Sequence, residues 1–227
     1  MRKKRYKYET HSHTSETSLC GQSSAEQLIR FFKNLDYTGV IITDHLYTPE
    51  TVNLQDKPWE ALVERHCSGY DIAAAVGAQI GIDVMFAWEY SYGWAHFLTY
   101  GLGKEWLLDN PDIFEWDIFT YFDRIHADGG RIVHAHPFRE GVEHIHLFPS
   151  KIDAVEAINM GRVARYNRHA RDFAVSFNLP QTAGSDIHLT IDSSRLGGVT
   201  SSERFSDTHD YMDAVLAGEV SLFGSNI

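Results

Sequence analysis

The sequence predicts an α/β fold with a mostly parallel sheet, in one domain covering residues 1–227. Three observations predict it. Strand-like and helix-like segments alternate along the chain, which implies parallel strands joined by helical crossovers. A length of 227 residues is normal for one α/β barrel, and 43% apolar residues supply its core. Residues able to ligate metals recur at the carboxyl ends of the apolar runs, where barrel folds keep their active sites.

The elements follow in order. Tyr6 to Thr10 reads as a strand ending on His11-Ser12-His13. Ser23-x-x-Glu26 is a capping box opening a helix with Leu28, Ile29, Phe32 and Leu35 at its apolar positions. Gly39 begins a buried strand, Val40 to Thr43, that runs into Asp44-His45. Pro58 suits the first turn of the next helix, expected to reach Gln79 with a break near Gly69. Asp83–Tyr90 and His96–Gly101 read as two strands with a tight connection. A helix from Glu115 to Ala127 ends at Asp128-Gly129-Gly130 and hands over to a strand, Arg131–His136. The strand Asp153–Ile158, the helix Arg162–Phe177 and the strand Gln181–Gly184 come next. Gly197–Thr200, a helix over Asp207–Ala217 and Val220–Phe223 complete the order, with no internal repeat or linker.

Composition narrows the function. A net charge of −11 argues against a nucleic-acid surface, which would be a basic stripe. The basic start, Met-Arg-Lys-Lys-Arg-Tyr-Lys, lacks the apolar stretch a secretory signal needs, and no run is long enough to span a membrane. Cys20 and Cys67 give no disulfide framework, so a soluble, reducing, cytoplasmic setting is expected.

Strand side chains alternate with period two, so His11 and His13 point the same way, as do Asp186 and His188. Imidazole and carboxylate ligands delivered from several strand ends describe a multi-metal site and a metallohydrolase.

Together, His11-x-His13, Thr43-Asp44-His45, Glu89 with His96, Ala135-His136-Pro137 and Gly184-Ser185-Asp186-x-His188 resemble the PHP (polymerase and histidinol phosphatase) family. The resemblance runs in order from about Tyr8 to Gly198. It implies a distorted (β/α)7 barrel and a metal-dependent phosphoesterase. It also implies a ligand division: His11, His13, Glu89 and Asp186 for a first ion, Glu89, His96 and His136 for a second, and His45 with His188 for a third. Two or three divalent ions are therefore expected, with zinc, manganese and iron all suited to these donors.

One stretch departs from the pattern. Family members commonly place a further His or Asp shortly after His-x-His, but here stands Thr14-Ser15-Glu16-Thr17-Ser18-Leu19-Cys20-Gly21-Gln22. Leu19 cannot ligate, so Glu16 is the expected replacement, with Cys20 and Gln22 behind it; the third site is weaker, differently built or absent. Cys20 otherwise reads as a small packed residue, with no basic partner to make it a nucleophile.

The expected reaction is in-line attack on phosphorus by a hydroxide between metals, with Glu89 and Asp186 as the catalytic carboxylates. Arg139, just after His136-Pro137-Phe138, is expected at the mouth to bind phosphate, and Arg195 is a second candidate. Asp44 and His134 are expected to support ligands. His144 and His146, on a loop, stay open between substrate and surface, while His66, His126, His169 and His209 are assigned to helices away from the mouth. Trp88, Tyr90, Tyr92 and Trp94 read as packing under the rim, or as a stacking wall. A small phosphorylated substrate is expected, oligomeric state is left open, and the alternatives are an amidohydrolase-type barrel, a nuclease and a non-catalytic metal-binding module.

Overall fold

The computed structural model describes residues 5–190 and 194–224. Its elements are β1 (Tyr6–Ser12), α1 (Ala25–Asn34), β2 (Gly39–Ile42), α2 (Trp59–Ile80), β3 (Asp83–Phe86), β4 (Trp88–Tyr92), β5 (Ala95–Tyr100) and α3 (Lys104–Asp109). A 3₁₀ turn at Ile113–Glu115 precedes α4 (Ile118–Ala127), β6 (Arg131–Ala135), β7 (Ala154–Asn159), α5 (Ala164–Ser176), β8 (Gln181–Gly184), β9 (Gly197–Ser201), α6 (Thr208–Leu216) and β10 (Val220–Gly224). No described helix is long and apolar enough to cross a membrane.

The strands form two five-stranded sheets, ordered β10-β9-β1-β2-β3 and β4-β5-β6-β7-β8. The expected mostly parallel sheet is corrected here. The pairs β1–β2, β2–β3, β6–β7 and β7–β8 are parallel, while β1–β9, β9–β10, β4–β5 and β5–β6 are antiparallel. Only β4 and β5 are joined by a hairpin, at Gly93-Trp94; α3 and α4 lie between β5 and β6, and α6 between β9 and β10, yet both pairs run antiparallel. No strand ladder closes the two sheets into a ring among the described residues. They meet through single bridges, Ser12 to Ile187 and His45 to Glu89.

Strand alternation builds the layers. Ile41, Leu98, Tyr100, Val133 and Ala135 point into a core shared by both sheets, with Tyr8 and, from α6, Tyr211 and Met212. Their neighbours Val40 and Ile42 face α1 and α2, and Phe97 and Ile132 face α4 and α5. Burying both faces of a strand in this way requires helices outside and a packed interior.

Four local expectations shift. The capping box lies one residue on, with Ser24 and Gln27 exchanging hydrogen bonds at 3.2 and 2.9 Å. α2 runs unbroken through Gly69, whose missing side chain instead admits Thr14: a Cβ there would lie 2.0 Å from its hydroxyl oxygen. The strand expected from Asp83 to Tyr90 divides at Ala87, as the chain leaves one sheet and enters the other. Trp116 is extended, so α4 starts only after Asp117, whose carboxylate accepts from Phe119 N and Thr120 N.

Candidate metal centre

The seams between the sheets put Glu89 at the centre of the histidines. Glu89 N donates to Asp44 O at 3.0 Å and Leu46 N to Glu89 O at 2.9 Å, which carries the end of β2 alongside β4. On the other side Asp186 N donates to His11 O at 2.9 Å and His13 N to Ile187 O at 3.1 Å, joining β1 to the end of β8. His11, His13, Glu89, His136 and Asp186 are all buried.

The Glu89 carboxylate divides its two oxygens. Oε1 faces His96 Nδ1 at 2.8 Å and His136 Nε2 at 3.2 Å. Oε2 faces His45 Nδ1 at 3.1 Å, His13 Nε2 at 3.3 Å and His11 Nε2 at 3.5 Å. Asp186 Oδ1 lies 3.5 Å from His11 Nε2 and 3.3 Å from His13 Nε2, and its Oδ2 lies 3.8 Å from His136 Nε2. Sets of potential donors overlap here: His11, His13 and Glu89; His11, His136 and Asp186; His45, Glu89 and His96; and His13, Cys20, His45 and His188.

The other face of each ring is held by the protein. Glu156 Oε1 accepts a hydrogen bond from His11 Nδ1 at 2.8 Å, while Glu156 Oε2 accepts from His136 N at 3.0 Å. Ser18 Oγ donates its one proton to Asp44 Oδ1 at 2.6 Å, so at 3.2 Å it accepts from His13 Nδ1. The Asp186 carbonyl can only accept, so at 2.8 Å it fixes the proton of His188 on Nδ1. Each tautomer leaves Nε2 with a lone pair, as metal ligation requires. His11 Nε2, His13 Nε2 and His45 Nδ1 are buried without a hydrogen-bond partner, although carboxylate oxygens lie within 3.5 Å. Ligand atoms gathered near one another but not aimed at one another fit a shared cation, so the residues present suit divalent metals.

Electrostatics agree. Burial works against charge on Glu89 and Asp186, yet the surrounding imidazoles outweigh it and hold both carboxyls well below the usual range. Burial lowers His13 and His136, and takes His45 down to about 3. Burial also opposes charge on His11, but Glu156, Asp186 and Glu89 overcome it and raise its pKa well above normal. A positive charge is therefore favoured where His11 meets two carboxylates, and a cation can supply it. His136 and Asp186 both hold left-handed backbone, φ 28° and 52°, a strain of roughly 1–3 kcal/mol each that is typical of functional positions.

Eight of the nine metal-ligating candidates, all but Glu16, converge on this cluster. Glu16 turns away: its carboxylate accepts from Ala25 N at 2.9 Å at the start of α1, and it belongs to none of the donor sets. The orphan N–H groups of a helix start attract a carboxylate, and here they win it. Cys20 is the residue of that loop which does reach the cluster. Asp44 is a support as expected, accepting from Thr14 N, Thr14 Oγ1 and Ser18 Oγ. His134 is corrected: its ring lies 4.8 Å from Phe97 and packs towards Phe173, because the left-handed turn at His136 breaks the alternation that would have aligned the two. Trp88 and Tyr90 pack in the core, with Tyr90 stacked 3.9 Å from Tyr121, while Tyr92 and Trp94 are exposed.

Arginines stand around the centre. Arg139 Nη2 lies 3.3 Å from His96 Nε2 and donates to Trp94 O at 3.1 Å. Arg195 lines a cavity of about 370 Å³ with Asp186, His188 and Arg162. Arg162 is absent from the sequence expectations; its Nη2 donates to Asp186 Oδ2 at 2.9 Å. Burial and the nearby Arg162 lower the Arg139 pKa, and the Nε atoms of Arg139 and Arg162 are buried with no hydrogen-bond partner. Two neighbouring guanidiniums with unused donors fit an anion. Glu156 and Asn159, which donates to Asp186 Oδ2 at 3.2 Å, also escape sequence reading, although a carboxylate inside the apolar strand Ala154–Ile158 is a visible signal.

No protein-family model and no curated protein matches the chain. Solved structures do. A two-domain protein from Bacteroides vulgatus containing a predicted PHP-like metal-dependent phosphoesterase aligns with TM-score 0.70 at 15% identity, over 97% of this chain. The chain spans 65% of that protein's length, just under two thirds. A structure from Bifidobacterium adolescentis, with metal-dependent phosphoesterase as its inferred activity, aligns with TM-score 0.58 at 14% identity, over 95% of this chain and 97% of its own. An amidohydrolase from Chromobacterium violaceum, with bound sulfate and no metal, aligns with TM-score 0.56 at 13% identity, over 96% and 98%. These are likenesses of fold, and what the chain shares with these structures is a mixed α/β arrangement.

Proposed function

We propose that the chain is a PHP-type metallohydrolase domain over residues 1–227, a metal-dependent phosphoesterase acting on a small phosphorylated substrate. The two sheets are read as a (β/α)7 barrel opened at its seams. The observation that carries the function is Glu89, whose two oxygens face different histidines, His96 and His136 on one and His11, His13 and His45 on the other. A carboxylate so placed suits two adjacent cations and offsets their repulsion. In this reading His11, His13, Glu89 and Asp186 would hold one ion, Glu89, His96 and His136 a second, and His45 with His188 a third. Zinc, manganese and iron suit these donors.

When bound, such ions supply an activated water and neutralise charge on phosphate oxygens. The protein's own part is orientation. Glu156 and Ser18 fix the rings of His11 and His13. Arg139, Arg162 and Arg195 offer guanidiniums to the phosphate, with Arg162 also steadying Asp186. A His96 that ligates through Nδ1 carries its proton on Nε2 and cannot accept from Arg139, which leaves that guanidinium to the substrate. An amidohydrolase-type barrel typically bridges its metals through a modified lysine; in this reading Glu89 supplies the bridge, which favours the phosphoesterase.

The test is metal analysis of the purified protein, then phosphate release from phosphomonoesters. Glu89→Gln should lose metal affinity by more than the roughly 10- to 100-fold seen for residues that support ligands, and phosphate release should fall with it. Arg139→Ala should keep the metals and weaken phosphate binding by about 2 kcal/mol. An active, metal-poor Glu89 variant would overturn the mechanism, and unaltered kinetics in the Arg139 variant would remove that residue from the site.

A further inference from the structure

We propose that Cys20 is a thiolate ligand of the third ion, beside His45 and His188, and that this position selects zinc and other thiophilic cations over manganese. The proposal rests on the reading of the cluster as a metal centre and names the chemistry of one part of it.

Four observations carry it. The donor atoms of Cys20, His13, His45 and His188 all lie within 4.8 Å of one another. His13, fully buried, stacks on His45 at 4.7 Å and on His188 at 4.5 Å, and its Nε2 is without a hydrogen-bond partner. His13 Nε2 faces both carboxylates of the first ion, Glu89 and Asp186, whereas His45 Nδ1 faces Glu89 alone, so Cys20, His45 and His188 are the set left for the third ion.

The loop that carries Cys20 is tied to the segment that carries His188. Gln22 N and Ser23 N donate to His188 O at 2.8 and 3.1 Å, and Ser15 N donates to Ser23 O at 3.0 Å. Gly21 permits the turn, since a Cβ there would stand 2.4 Å from Thr14 O. Tyr47, whose hydroxyl accepts from Leu19 N at 3.2 Å, lies beside the thiol and can donate to a sulfur anion. The rival ligand is engaged elsewhere, with the Glu16 carboxylate on Ala25 N.

Two imidazoles and a thiolate make a three-ligand zinc site with a fourth position open, and sulfur disfavours manganese. As the sulfur–metal bond forms, the thiol proton leaves to solvent, so loading releases acid. Cys20 is exposed, so an ion can reach its sulfur without unfolding.

The test is to load metal-free protein with cobalt(II) and record the near-ultraviolet thiolate-to-cobalt charge-transfer band, with metal content measured in parallel. The wild type should show the band, and Cys20→Ser should lose it together with about one ion per chain. Glu16→Gln should keep both. Alkylation of the unaltered protein gives a reading independent of any variant. Zinc should protect Cys20 at least roughly tenfold, manganese should not, and Cys67 is buried and serves as the internal reference. Metals bound in full with no band, no protection and no loss in Cys20→Ser would overturn the thiolate ligand and leave the metal centre standing. A wild type that binds no divalent ion would overturn both.

Discussion

His134 and His136 stand two residues apart, but only His136 faces the metal-binding cluster. Burial among aromatic rings lowers the His134 pKa to about 3, so it is neutral when folded. The unfolded chain takes up a proton near pH 6.5, and the folded chain does so only near 3. The stabilisation is therefore complete above about pH 6.5 and is lost as pH falls towards 3. At about pH 4.5 this one group would cost about 3 kcal/mol, or roughly 5–10 °C in Tm for a chain of this size. Thermal melts in chelator between pH 7 and 4.5 should show that slope, and His134→Phe should remove this share of it. An unchanged slope would mean that the ring is not the buried neutral group described.

At the scale of elements, the cluster depends on how closely β8 approaches β1. A Cβ on Gly184, the last residue of β8, would lie 2.5 Å from His11 Cβ and 2.8 Å from Glu156 Oε1. The same small residue thus sets the sheet seam and the clamp on a ligand. Gly184→Ala should cost roughly 1–3 kcal/mol by overpacking. It should also weaken metal binding, because His11 cannot move without leaving Glu156. Calorimetric melts with and without zinc separate the two effects, and a variant that loses stability alone would show that the seam and the ligand are independent. Gly69 works similarly in α2, admitting Thr14 and Asp44 to the helix surface.

For the whole molecule, metal and fold should be linked. The two sheets are stitched by isolated bridges at His45–Glu89 and Ser12–Ile187, beside the candidate ligands. Cations binding there would tie the sheets where their backbone pairing is thinnest. An ion at about a hundred times its Kd adds about 3 kcal/mol, which raises Tm by roughly 5–10 °C per occupied site. Removing metals with a chelator should lower Tm by that amount and restoring zinc should recover it; equal melts in both states would refute the linkage.

Most of the order of strands and helices, and the candidate donors at their ends, were determined by the sequence alone. His11-x-His13, His45, Glu89, His96, His136 and Asp186-x-His188 were legible because period-two alternation and short motifs are local properties. α3 was missed because six residues carry too little periodicity, and the division at Ala87 was missed because an apolar run does not reveal which sheet it joins. Tertiary structure alone decided which donors meet. Glu156 is 145 residues from the His11 it orients, and Arg162 is 24 from the Asp186 it pairs with. The choice between Glu16 and Cys20 was also tertiary. Both are chemically able to ligate, and which of them reaches the cluster turned on a helix start that holds the carboxylate and a loop bonded to His188 that brings the sulfur near the imidazoles. Such pairings depend on where distant backbone segments come together, and side-chain chemistry read along one chain does not contain that distance.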